Sequence, residues 1–230
     1  MTQQKIGDLT VKVVYDPDPI NPREDDNLGR MVCWHRRYRM GDEQPRESAT
    51  GYKIEMLEKV IKGFQVKENT NIGALLEKHY VILPVYMYDH SGRTVATTPF
   101  SCSWDSGQLG FIYCSLENAK VHLGVKNKKA GWGHKIQFGQ ETRTIRDIVE
   151  DRLEGEVKEY DAFITGQVYV YDVLDENDDV IDSCGGFTDE DECMRAGVEH
   201  AQGVWNSICD RRQREEKEAA DMACRGVITI

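Results

Sequence analysis

At 230 residues the chain is long enough for one large domain, or a domain with an appended element, and it can bury a core without a metal or disulfide staple. Hydrophobic residues at 40% and charged residues at 30% exclude global disorder, and the longest apolar run, Tyr80 to Tyr88, falls far short of the roughly 20 residues that cross a bilayer. The net charge of −11 opposes general binding to nucleic-acid backbones, although a local basic patch can override it.

Leu9 to Tyr15 (LTVKVVY) alternates apolar and polar side chains, which predicts a strand running into the rigid stretch DPDPINPRED. Met31 to Tyr38 is a short aromatic and basic segment, strand or loop. From Ser48 to Phe64, Tyr52, Ile54, Met56, Leu57, Val60, Ile61 and Phe64 have helical spacing, and Asn71 to His79 (NIGALLEKH) predicts a second short helix. Tyr80 to Asp89 (YVILPVYMYD) carries the strongest strand signal. The turn His90-Ser91-Gly92-Arg93 leads it back through Thr94 to Thr98, with Gly92 expected to supply the positive φ. Pro84 within the run predicts an edge position or a bulge. Leu109 to Cys114 predicts a further strand, and Ser115 opens a short helix that ends near Gly124.

Thr142 to Ile164 reads as the main helix, because Ile145, Val149, Leu153, Val157, Tyr160 and Ile164 fall on one face. Gly155 weakens it by roughly 1 kcal/mol relative to alanine, and Gly166 stops it. Gln167 to Leu174 and Val180 to Ser183 form a hairpin around DENDD. The last helix has Thr188 as its expected N-cap, Asp191 at the capping-box position, and an apolar stripe of Met194, Val198, Ala201, Trp205 and Ile208. Beyond Ile208, DRRQREEKEAAD is charged all round and either projects into solvent or meets a second chain. The expected fold is α+β: one mixed or antiparallel sheet of about five to seven strands, helices packed on one face, and a long C-terminal helix docked at the sheet edge or used for dimerisation. The expected division is a core domain over residues 1–187 and a helical extension over residues 188–230.

Seven cysteines (Cys33, Cys102, Cys114, Cys184, Cys193, Cys209 and Cys224) are odd in number and form no CxxC pair, and the N-terminus MTQQKIGD is polar. They predict free, mostly buried thiols in a reducing cytosol. Charge is polarised. From Asp175 to Glu199 there are ten acids and one base, whereas Arg30 to Arg39 and Val125 to Gln140 each carry +4.

Four constellations could carry chemistry. The loop FSCSWDSGQ holds Cys102, Trp104 and Asp105, and the preceding hairpin turn holds Asp89 and His90; a cysteine, a histidine and aspartates could supply a nucleophile, a base and an orienting acid. The alternative is ordinary turn chemistry. Arg36, Arg37 and Arg39 beside Trp34, His35 and Tyr38, and Lys126, Lys128 and Lys129 beside Trp132, have the composition of a single-strand binder; the alternative is pairing of Arg36 and Arg37 with acids of REDD and GDE. DENDDVIDSCGG matches a calcium loop at Asp175, Asn177 and Asp179 but has Val180 at the turn glycine and Gly186 at the bidentate glutamate, so no metal or cofactor is expected. Asp175, Glu176, Asp178, Asp179, Asp182, Asp189, Glu190, Asp191 and Glu192 form either a solvated face or a surface that competes with nucleic acid for a basic groove.

The segments DPDPINPREDDNLGRMVCWHRRY, LPVYMYDHSG, TTPFSCSWDSGQLGFIY and EYDAFITGQVYVYDV followed by DSCGGF resemble a family of uncharacterised proteins of bacteriophages and integrative elements, over about Leu9 to Phe187. The resemblance implies no activity, only a mobile-element context in a bacterial host. That context leads to the expectation of a non-enzymatic accessory protein whose acidic surface binds and inhibits a host defence complex that handles nucleic acid, of the CRISPR or restriction type. A cysteine- and aspartate-dependent hydrolase or nucleotide-modifying enzyme and a single-stranded nucleic-acid binder are the alternatives. A homodimer through the C-terminal helix is also allowed.

Overall fold

The computed structural model describes residues 2–102 and 104–226, without the side chains of residues 223–226; the Cys224 thiol and the end of the expected extension lie outside the described residues. In chain order the elements are β1 (Thr2–Ile6), β2 (Leu9–Tyr15), a 3-10 turn (Pro22–Glu24), β3 (Arg30–Cys33), α1 (Ala49–Val60), α2 (Ile72–His79), β4 (Tyr80–Asp89), β5 (Arg93–Ala96), β6 (Ser106–Ser115), α3 (Leu116–His122), β7 (Lys135–Phe138), β8 (Glu141–Thr144), α4 (Ile145–Thr165), β9 (Tyr169–Leu174), β10 (Val180–Phe187) and α5 (Glu190–Gly226). The fold is α+β and the named strands pair antiparallel. In place of one sheet, the described residues form two four-stranded sheets and a two-stranded ribbon. The chain divides into two compact units, residues 1–20 with 166–230, and residues 21–165.

The first unit holds the sheet β1-β2-β9-β10 and α5. Leu9, Val11 and Val13 alternate onto one face of β2 and pack with Tyr171 and Val173 of β9. α5 lies on that face through Cys193, Gly197 and Ala201, which recur every four residues and are buried. These side chains are small because the approach is close. A Cβ at Gly197 would stand 2.7 Å from Val11 Cγ1 and 2.9 Å from Tyr171 Cγ. Met194, Val198, Trp205 and Ile208 from the expected stripe flank this seam half-buried. The helix is therefore docked across the sheet face, not along its edge. Its cap is Asp189, whose carboxylate accepts the Glu192 N–H at 2.7 Å, and not Thr188. The expected boundary after Phe187 would part β10 from the helix that covers its own sheet. The polar strand β1 carries no alternation to announce it and is exposed along nearly its whole length.

The second unit holds the sheet β3-β6-β4-β5. Helices cover both of its faces, not one. Ile145, Val149, Leu153 and Val157 of α4 pack with Met31, Val81, Val85 and Ile112, while Tyr52, Met56 and Leu57 of α1 and Leu76 of α2 pack with Val32, Tyr80 and Phe111. The cause is in β6, where Leu109, Phe111 and Ile112 form an apolar run buried on both sides. Pro84 lies in the part of β4 that pairs with β6 but extends beyond β5, next to a register shift at Val85/Tyr86. Its missing N–H costs no ladder bond to β5. In the β4–β5 turn it is Ser91, at φ 57°, that takes the left-handed conformation, not Gly92. The ribbon β7–β8 takes up the residues expected to begin the main helix, so α4 starts at Ile145.

Candidate functional site

Three segments far apart in sequence meet in the second unit. Trp34, His35 and Arg37 follow β3, Asp89 ends β4, and Trp104 and Asp105 precede β6; together they line a cleft of ≈ 320 Å³. The Asp89 N–H donates to the Asp105 carbonyl at 2.9 Å, which ties the hairpin turn to the motif loop. Arg37 Nη2 lies 3.4 Å from Asp89 Oδ2. The floor is rigid: Trp34 Nε1 donates to the Glu47 carbonyl at 2.8 Å, and its ring packs on Tyr52 and Phe111. His35 stacks on Tyr38 at 4.8 Å with the rings 4° apart, and Arg93 lies over the same tyrosine at 4.7 Å. Trp104 is 95% exposed.

Cys102, Asp105, Asp89 and His90 do converge, but not in the order a nucleophile needs. Cys102 Sγ lies 3.9 Å from Asp105 Oδ2, and His90 Nδ1 lies 3.2 Å from the same oxygen. The carboxylate stands between thiol and imidazole, so the histidine does not receive the thiol proton directly. A nucleophile–base–acid relay requires the imidazole in the middle. The arrangement holds the loop against the turn.

A larger cleft, ≈ 610 Å³, lies elsewhere in this unit, between residues 21–30 and Arg39, Asp42, Tyr113 and Asn118. Its base is a closed charge network absent from the sequence reading. Arg23, with 3% of its side chain exposed, bonds Asp42 at 2.7 and 2.9 Å, Glu156 at 2.9 Å and the Gly29 carbonyl at 2.7 Å. Glu156 also accepts the Leu28 and Gly29 N–H groups at 2.8 and 3.1 Å. Burial disfavours the guanidinium charge, but Asp42 and Glu156 outweigh it and hold the Arg23 pKa above its ordinary value. With its partners satisfied internally, the network shapes the loop and offers no unsatisfied group to a ligand.

The basic windows fare differently from each other. Lys126, Lys128 and Lys129 are exposed, but Trp132 is 8% exposed within the core, under Arg146 at 5.4 Å. It cannot serve as a stacking platform, because the apolar demand of the core takes its indole. Arg36, Arg37 and Arg39 are exposed; Arg37 meets Asp89 and not the flanking REDD or GDE acids. Arg39 borders the larger cleft.

The acidic window belongs to the first unit and is partly engaged in local structure. Asp175 accepts the N–H groups of Asn177 at 2.8 Å and Asp179 at 3.0 Å, and the backbone bonds from Asp179 and Asn177 hold its pKa below its usual value. This is turn chemistry at the three residues that matched a calcium loop, with Asp178 at φ 63°. Asp182 meets His200 Nε2 at 3.1 Å, while His200 Nδ1 bonds the Tyr171 hydroxyl at 2.9 Å. Asp189 caps α5, and Glu190 accepts from Thr2. Glu176, Asp178, Asp179, Asp191 and Glu192 are exposed, and among the described residues their carboxylates make no ion pair. Residues 21–165 carry 21 bases and 21 acids, whereas residues 1–20 and 166–230 carry 8 and 19. The whole net charge of −11 therefore resides in the first unit.

No family model, curated protein or solved structure matches the chain. Among the described residues no helix is long and apolar enough to cross a membrane.

Proposed function

We propose that the protein is a non-enzymatic accessory protein of a mobile element, acting in the cytoplasm of a bacterial host, whose acidic unit occupies the basic nucleic-acid groove of a host defence complex. The observation that carries this reading is the confinement of the net charge to one unit, with five exposed carboxylates that make no ion pair among the described residues. They fall at the two ends of β10, whose eight residues span about 26 Å at 3.3 Å per residue. That length matches about eight phosphates along one strand of a duplex, a scale on which electrostatic steering into a basic groove is effective. The enzyme alternative is weakened by the carboxylate between Cys102 and His90.

Asp189 and Asp175 are unsuitable for a charge test, because both hold backbone N–H groups. The combined variant Glu176→Lys, Asp178→Asn and Asp179→Lys removes charge from the exposed tip and keeps a residue type that tolerates positive φ at position 178. In a host carrying restriction or CRISPR interference, the native protein is expected to raise the yield of a targeted plasmid, and the triple variant to lose that effect with an unchanged melting curve. Absence of protection by the native protein, or full protection by the variant, would sink the reading.

A further inference from the structure

We propose that the Trp34–Arg37–Trp104 cleft binds single-stranded nucleic acid, with a base stacked on Trp104 and the neighbouring phosphates met by Arg36, Arg37 and Arg93. The site lies in the electrically neutral unit and is independent of the acidic surface. Trp104 is 95% exposed although indoles normally contribute their large apolar area to a core. It stands at the mouth of a cleft whose other aromatic wall, Trp34, is fixed by a hydrogen bond and by packing on two rings. A fixed wall and an open platform suit a flat ring that enters from solvent.

The cations support the same occupant. Arg37 is 73% exposed along its side chain and touches Asp89 at 3.4 Å, a long surface contact that a phosphate can replace. Arg36 and Arg93 are exposed and, among the described residues, make no ion pair; Arg93 is held in place over Tyr38. A single strand supplies both partners the cleft needs, an anion for the arginines and a π-face for the indole. An acidic peptide would satisfy the arginines alone. Asp105 adds selectivity. Its carboxylate, engaged by His90 through Oδ2, keeps Oδ1 to accept from an exocyclic amine, as on cytosine, whereas thymine offers only a ring N–H set between two carbonyl oxygens that repel a carboxylate.

The test uses the full chain with fluorescein-labelled oligodeoxycytidine, oligodeoxythymidine and oligocytidine RNA at low ionic strength, read by anisotropy and by tryptophan quenching. The native protein is expected to bind, to bind cytidine more tightly than thymidine, and to lose affinity as salt rises. Trp104→Ala is expected to weaken binding between about 5-fold and about 150-fold, the range of one base–aromatic stack, and to abolish the quenching. Arg37→Ala and Arg93→Ala should each lower the slope of log affinity against log salt by about 0.7. Asp105→Ala should remove the preference for cytidine. Lack of binding at the lowest ionic strength overturns the proposal, as does binding that Trp104→Ala and both arginine variants leave unchanged. Equal native affinity for cytidine and thymidine overturns the role given to Asp105. The triple acidic variant is expected to bind oligonucleotide at least as well as the native protein, so a failure here and a failure of the acidic reading are distinguishable.

Discussion

The Arg23 guanidinium and the Glu156 carboxylate are almost wholly out of solvent, so neither can lose its partner cheaply. Breaking a buried ion pair typically costs about 3–5 kcal/mol; Arg23 would keep Asp42, so its share of that cost is reduced. Glu156→Ala would also strand the Leu28 and Gly29 N–H groups. It is expected to destabilise the second unit by about that amount in urea unfolding, and a loss below about 1 kcal/mol would contradict the network described. The thiols test burial by chemistry. Burial pushes Cys33 and Cys114 up to about 12 and Cys193 up to about 11. At pH 8, iodoacetamide is expected to modify exposed Cys184 first and to leave Cys33, Cys114 and Cys193 unmodified until the chain is denatured, as read by peptide mass mapping. The sign of the linkage follows. Unfolded thiols ionise near pH 8.5, while these three hold their protons to about pH 11 to 12. Between those values the unfolded chain binds fewer protons, so stability is full below pH 8.5 and falls as pH rises.

Within the helices, two glycines of α5 six positions apart are expected to respond oppositely to the same change. Alanine at Gly203 has open space and relieves the helix cost of glycine, so Gly203→Ala should stabilise by about 0.5–1 kcal/mol, as should Gly155→Ala in α4. Alanine at Gly197 must displace Val11 or the Tyr171 ring, an overpacking cost of about 1–3 kcal/mol that exceeds the helix gain. Thermal melts of the three variants check this, and equal melting temperatures for Gly197→Ala and Gly203→Ala would refute the close seam. The seam also shows what was legible in the sequence. The 3.6-residue period of Met194, Val198, Ala201, Trp205 and Ile208 announces a helix with an apolar side, but hydrophobicity alone underrates Cys193 and Gly197, which sit at the centre because they are small. Strand β2 and helix α4 were legible because alternation and period are local signals. That β6 is buried on both faces, and that the WHRR, YDHSG and SCSWDSGQ segments share one cleft, depends on pairings across distant sequence that no local pattern encodes. Trp132 and Trp104 both stand in segments of small and polar residues, yet one fills a core and the other faces solvent.

For the whole molecule, chain order and charge divide at the same places. β2 and β9 are antiparallel neighbours, with Tyr15 opposite Tyr169, and the Asp16 N–H donates to the Val168 carbonyl at 2.8 Å. The chain thus leaves the first unit and returns to it at adjacent points, and residues 21–165 are inserted in sequence between its two paired strands. Such insertions are tolerated where the ends of the inserted unit are close, because the host needs only a short connection. Deleting residues 21–165 joins Ile20 to Gly166 and leaves Pro17, Asp18, Pro19, Ile20, Gly166 and Gln167 between Asp16 and Val168, within the usual range of short connections between elements. The apolar face of β2 and β9 stays covered, since Cys193, Gly197 and Ala201 come from the same unit. The shortened chain is therefore expected to melt cooperatively and to retain the α5 helical signal in circular dichroism. It also keeps the full charge of −11, so on the acidic reading it should still protect a targeted plasmid, while on the cleft proposal it should fail to bind oligonucleotide. A shortened chain without a cooperative transition would mean that the four-stranded sheet depends on residues 21–165 for its folding. A folded one that binds oligonucleotide as tightly as the full chain would place the nucleic-acid site outside the Trp104 cleft.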